Sequence, residues 1–270
     1  MSFTKKIKKH LSEYKEKNFP HLEDGVWRSN KQQYSHILPE SSKHDNFLKP
    51  YKGELIDYIN KNKVPLHHAF HHLVSSQAMC LNFFYPLFYE KKLELITEFI
   101  GFKNEKVKYE TVCFEKRGLE GEHGRIPTSF DLYLETISDK RVYFEIKYTE
   151  GSFGSNTINS DKFDTVYSKF LSPINDDFHD EKSFYKDFQI LRNLIHIDDD
   201  SYVVFVYPED NKGIKKGVDK VKSDFLKPTY FDHFFASEWN ALFEYVSKQI
   251  TKSKLQEQYA EFKNKYLEYK

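Results

Sequence analysis

The chain predicts an α/β fold: a helix, three strands with a hairpin at their centre, a helix and a strand (αβββαβ), with extra helices at both ends. Three observations carry this. Phe130, Leu132 and Leu134 alternate with polar residues, as do Val142, Phe144 and Ile146, the period-two pattern of half-buried strands. Ahead of them, Leu66 to Phe84 is long, strongly apolar and free of glycine, as a buried helix would be. After them, a helical stripe over Phe184–His196 precedes the continuous apolar run Tyr202–Pro208, a strand covered on both faces.

The bulk properties agree with one sizeable folded core. Of 270 residues, 25 are Phe and 19 are Tyr, enough buried ring area to outweigh a polar average hydropathy. Lys plus Arg and Asp plus Glu both number 41, so net charge points to no polyanion and any basic patch must be local. Arginines are few (Arg28, Arg117, Arg125, Arg141 and Arg192), leaving lysine as the main phosphate contact. Cys80 and Cys113 have neither pairing nor metal spacing and read as buried thiols in a reducing compartment. No run reaches membrane-spanning length, and the basic start Met1–His10 has no apolar core behind it, so the expectation is a cytoplasmic protein with no membrane partner.

In chain order, Phe3, Ile7, Leu11 and Tyr14 fall at spacings of three and four, predicting an amphipathic helix over 3–19 with lysines outward. Residues 20–50 lose periodicity and read as an irregular arm. Leu55, Ile56 and Ile59 place a helix at 51–60. The 66–84 helix is expected to end at Pro86 and carries His67, His68, His71 and His72. Two i, i+4 pairs arise there that could hold a metal on one face, although the Glu of a zinc-protease motif is missing. Leu93, Ile96 and Phe99 or Ile100 set a helix at 90–100, ended by Gly101. Val107–Phe114 reads as a strand. The loop to Ser129 contains Gly118, Gly121, Gly124 and Pro127 and could touch substrate. Beyond the hairpin, 149–182 reads as loop and polar connection, and 209–228 as a lysine-rich connection. Tyr230–Ile250 and Lys252–Tyr269 read as closing helices, the second striped by Leu255, Tyr259, Phe262 and Tyr266. The expected division is 1–64 an arm, 65–210 the core and 211–270 a helical extension packed on it.

The chemistry lies on the polar side of the hairpin. If it closes through Ser138-Asp139-Lys140 in an even register, Asp131 sits across from Lys147 and diagonal to Glu145. Two carboxylates at that spacing repel, and a hard cation such as Mg²⁺ relieves the repulsion. A neighbouring ammonium can then orient a water or steady charge on a phosphate. Such a set suits phosphodiester hydrolysis; the plain alternative is a charged, solvated hairpin face.

Asp131, followed after a strand–turn–strand interval by Glu145-Ile146-Lys147, resembles the core motif of the PD-(D/E)xK nuclease superfamily, with Ser129-Phe130 where a proline is often found and Pro127 the nearest proline. The stretch Ser75–Leu87 resembles the bacterial restriction-endonuclease-like family within it. The resemblance covers roughly residues 65–210. It implies a restriction-endonuclease-like αβββαβ core with a mixed central sheet flanked by helices, and an Mg²⁺-dependent deoxyribonuclease, with Mn²⁺ as a second candidate metal. Asp131 and Glu145 would be metal ligands, Lys147 would position or activate the attacking water, and Gln189, on the helix after the Glu-x-Lys strand, would help orient it. Glu94, Glu98 or Glu110 could supply a further acid. DNA is the implied partner, and a homodimer would bring the two sites that double-strand cleavage needs. The competing expectation is a non-catalytic module that keeps this scaffold to bind nucleic acid or protein. A third reading is a histidine–metal hydrolase built on 67–72.

Overall fold

A computed structural model describes residues 1–120 and 129–269. The chain forms two compact units: residues 1–96 with 239–270, and residues 97–238.

The first unit opens with α1 (Phe3–Asn18), whose Ile7 and Leu11 are buried. The irregular arm contains a short antiparallel hairpin, β1 (Gly25–Trp27) with β2 (Gln32–Tyr34). Helix α2 (Lys52–Asn62) buries Leu55 and Ile59. The expected 66–84 helix is corrected to α3, Ser76–Tyr89. Residues 66–75 instead run against residues 36–38, with Leu38 N donating to His71 O and Leu73 N to His36 O. Ser75 sets the helix start because its hydroxyl accepts from Ala78 N at 3.2 Å.

Pro86 does not end α3 but lies inside it. A proline there deprives the carbonyl four residues back of its donor. That carbonyl, Asn82 O, accepts from Gln258 Nε2 at 2.7 Å, and Phe83 O accepts from the Tyr259 hydroxyl at 2.7 Å. Gln258 and Tyr259 belong to α10 (Ser253–Tyr266), which follows α9 (Trp239–Gln249). The α10 stripe of Leu255, Tyr259, Phe262 and Tyr266 is buried within this unit, where the Phe83 ring meets Tyr259, Phe262 and Trp239 at 5.0–5.2 Å.

The chain passes to the second unit within α4 (Glu94–Phe99). This unit is built on a five-stranded mixed sheet ordered β3 (Val107–Arg117), β4 (Ser129–Thr136), β5 (Arg141–Ile146), β6 (Ser201–Tyr207) and β7 (Phe234–Glu238). The first two pairings are antiparallel and the last two parallel. Parallel neighbours need a crossover. Between β5 and β6 it is made by α5 (Ser160–Thr165), α6 (Glu181–Lys186) and α7 (Phe188–Leu194); between β6 and β7 it contains α8 (Lys212–Lys220).

Three expectations change here. The single helix over 184–196 is two, broken at Asp187 (φ −113°, ψ 36°). The 209–228 connection contains α8. Residues 234–238 are a strand, because β6 offers Phe234–Glu238 a parallel ladder from Val203 to Tyr207 that no local pattern announces. The stripe Phe184, Phe188, Leu191 and Ile195 is buried as expected, covering Val203 and Phe205 on one face of the sheet. Among the described residues no helix is long and apolar enough to cross a membrane.

Candidate active site

The hairpin closes in an even register, two residues off the expected one. Glu135 pairs Arg141 and Leu132 pairs Phe144, so the loop is Ile137-Ser138-Asp139 rather than Ser138-Asp139-Lys140. Asp139 takes a left-handed conformation (φ 64°), and Asp139 N donates to Thr136 O at 3.0 Å, which fixes the loop one residue early. Continued outward, this register sets Asp131 opposite Glu145 rather than Lys147.

The ladder gives way at that point. Asp131 Oδ2 accepts from the backbone N–H of Ile146 at 2.7 Å, so a side chain stands where a strand would offer a carbonyl. The alternation breaks with it. Leu132, Leu134, Val142, Phe144 and Ile146 are buried as expected, but the Phe130 ring lies 4.9 Å from Tyr143 and 4.8 Å from His196, on the α7 side of the sheet.

The expected wet face is covered. Glu145 and Lys147 are only 8% and 7% exposed. Lys147 Nζ lies 2.7 Å from Glu145 Oε1 and 5.3 Å from the centre of the Phe153 ring. Burial alone would pull this ammonium's pKa down; Glu145, Glu150 and Asp131 together outweigh it, so Lys147 is held above its ordinary value. The Asp131 carboxyl is pushed well above the usual range, first by burial and then by the charges of Glu145 and Glu115, against the opposing pull of the Ile146 N–H and Lys147.

Glu115 is the acid that sequence reasoning missed. The pairs Phe114–Leu132 and Lys116–Phe130 set it opposite Asp131, and its Oε2 accepts from the Ser129 hydroxyl at 2.6 Å. Its positive φ of 57° and place beyond Phe114, where the strand was expected to stop, hid it; the longer strand β3 is the signal that would have found it. Of the acids proposed instead, Glu94 and Glu98 lie on α4, and Glu110 is exposed on the bulged half of β3.

Gln189 stands on α7 against the loop that follows Lys147. Its backbone N–H points to Gly154 O at 3.4 Å, and a Cβ added at Gly154 would meet its amide nitrogen at 3.3 Å. That loop is tied down by Asn211, whose Nδ2 donates to Tyr148 O at 3.0 Å and Glu150 O at 2.9 Å while its Oδ1 caps α8 at Ile214 N. The glycine-rich stretch expected to touch substrate lies largely outside the described residues, since Gly121, Gly124 and Pro127 fall within 121–128.

The histidine cluster does not form the expected helical pairs, because 66–75 is not helical; His71 and His72 are buried, their rings 4.5 Å apart edge to face. Among the described residues no three His, Cys, Asp or Glu side chains are gathered to hold a metal ion. Two carboxylates, Asp131 and Glu145, lie beside the Lys147 ammonium, a donor set of the kind that a partly hydrated hard cation accepts.

No curated protein and no solved structure matches the chain. A family model described as "Restriction Endonuclease associating with ARP" matches residues 8–267, both terminal regions included. With Asp131 on β4, Glu145 on β5 and Lys147 just past its end, and with that match over nearly its whole length, the chain belongs to the family of restriction endonucleases associating with ARP.

Proposed function

We propose that the chain is a metal-dependent nuclease of the PD-(D/E)xK type that hydrolyses DNA phosphodiester bonds in a restriction role. The observation that carries this reading is the meeting of Asp131, Glu145 and Lys147 where β4 and β5 part. The crowding that drives Asp131 toward its neutral form fits a hard divalent cation, Mg²⁺ or Mn²⁺, which Asp131 and Glu145 would hold. When bound, such an ion supplies charge neutralisation at a phosphate oxygen and polarisation of a water.

The rest falls to the chain's own residues. Lys147, held above its ordinary pKa, keeps its proton at neutral pH. It therefore acts as a donor that orients the attacking water and stabilises charge on the phosphate, not as the base that deprotonates the water. Gln189 helps orient that water from the Gly154 turn. Glu115, opposite Asp131, adds negative charge that strengthens attraction for the cation. The family's name couples its endonucleases with ARP, and we extend that association to this chain, with a homodimer providing the second site for a double-strand cut.

The test is cleavage of a mixed-sequence plasmid with Mg²⁺, with EDTA, and by Asp131→Asn and Lys147→Met proteins. Discrete metal-dependent fragments lost in both variants are expected. Undiminished cutting by either variant would overturn the assignment, and metal binding with no cutting by the parent would favour a binding module.

A further inference from the structure

Beside the site lies a pocket of about 310 Å³, bounded by the 152–155 loop, the junction of α6 and α7, and α8. That is the small end of the range for ligand sites, room for a nucleotide-sized group. Three of its lining residues are Lys186, Lys216 and Lys220, against one acid, Asp187. Among the described residues no ion pair engages any of the three lysines, whereas the neighbouring Lys215 is paired with Asp219 at 2.8 Å. Lys216 and Lys220 are four residues apart on one face of α8, a spacing at which like charges repel unless an anion lies between them.

The remaining walls suit a phosphate. Ser152 and Ser155 bring hydroxyls, and Gly213 and Gly217 complete the lining. These glycines are required by packing: a Cβ at Gly213 would fall 2.0 Å from Gly151 O, and one at Gly217 would fall 2.7 Å from the Phe153 ring. Phe153 joins the pocket to the site, because the same ring lies beneath the Lys147 ammonium.

We propose that this pocket seats a backbone phosphate of the nucleic-acid strand, next along from the phosphate held at Asp131 and Glu145. The proposal rests on the nuclease reading for its choice of ligand. Asp187 works against capture of a free anion and is tolerated where a polyanionic strand is held at several points. Three lysines without guanidinium forks contact phosphate as point charges, so the pocket adds affinity and register, not base selection.

The experiment uses the full chain carrying Asp131→Asn, so that binding is read without cutting. Anisotropy of a labelled duplex is followed from 50 to 200 mM salt for this protein, for its Lys186→Glu/Lys216→Glu/Lys220→Glu derivative, and for a matched control reversing the exposed Lys61, Lys103 and Lys106. Loss of this one phosphate contact should lower the slope of log affinity against log salt by about 1 and weaken binding at 50 mM. A melting curve checks folding, and Lys216→Glu alone, expected to lower the slope in the same direction by less than the triple variant, serves if the triple variant is unstable. A slope equal to the control's would overturn the proposal. So would protection against melting by inorganic phosphate with an unchanged DNA slope, which marks a free-anion site. Plasmid cleavage by the parent is scored separately: cutting with an unchanged slope removes the pocket alone, and no cutting with a lysine-dependent slope removes the nuclease reading alone.

Discussion

In the proposed reading Asp131 would have two jobs that different substitutions separate. Its carboxylate would ligate the cation, and its Oδ2 also satisfies the Ile146 N–H. Alanine removes both, leaving a buried donor unpaired at about 1–3 kcal/mol. Asparagine keeps an acceptor and removes the charge. The sign of the electrostatic effect follows from the raised pKa. The folded state holds this proton more tightly than the unfolded chain, so stability falls as pH rises from the unfolded value toward the folded one. In EDTA at pH 7.5 the melting temperatures should therefore rank Asp131→Asn at or above the parent and Asp131→Ala below it. Added Mg²⁺ should raise only the parent's. An asparagine variant that melts with the alanine one would show that Asp131 is a structural charge.

At the scale of elements, the crossover after Lys147 depends on α8 offering bare backbone. Gly213→Ala drives a methyl into Gly151 O and must displace the 148–154 loop that Asn211 ties down. A loss of about 1–3 kcal/mol in urea unfolding is expected, as for other overpacked sites. Cleavage should fall with it through the Phe153 ring under Lys147. Gly53→Ala, on α2 with open space around it, should stabilise by about 0.4–1 kcal/mol and leave cleavage unchanged. Equal effects from the two would refute the packing argument. The same glycines explain what the sequence concealed. Lys-Gly-Ile-Lys-Lys-Gly-Val reads as a connection because each glycine costs about 1 kcal/mol of helix propensity, yet the helix forms where the loop must approach it. Strand β7 was hidden because its reason lies in β6, and the start of α3 because the histidine run beyond Pro65 is apolar enough to mimic a helix. The hairpin was legible from alternation, but its register was not, and Asp131 lies opposite Glu145 rather than Lys147. Glu115 and the neighbour of Gln189 were not legible either, since both depend on where strands and loops run in space.

For the whole molecule, pH should act through a few buried groups. Lys265 is fully buried in the first unit, with Nζ donating to Asn46 O at 2.6 Å and Asn46 Oδ1 at 2.7 Å, and burial lowers its pKa to about 7. From pH 7 upward the unfolded chain binds this proton while the folded one releases it, so stability rises with pH. Burial likewise lowers His36, His72 and His196 to about 4, so their contribution is lost as pH falls from 6.5 toward 4. Chemical unfolding midpoints should climb from pH 4 to 6.5 and again from 7 to 9. Lys265→Met should flatten only the second rise, and a second rise unchanged in that variant would exclude Lys265 as its source.

The hydrogen bond from Gln258 to the carbonyl that Pro86 strands crosses 176 residues of sequence. On a ribosome adding about 5–20 residues per second, α3 emerges roughly 10–35 s before its partner is synthesised. For that interval the nascent chain presents Phe83 and an unanswered carbonyl to whatever surrounds it, and residues 97–238 can complete their sheet in the meantime. The unit that bears Asp131 and Glu145 can thus fold during translation, while the one that encloses it in sequence must wait for its last helix.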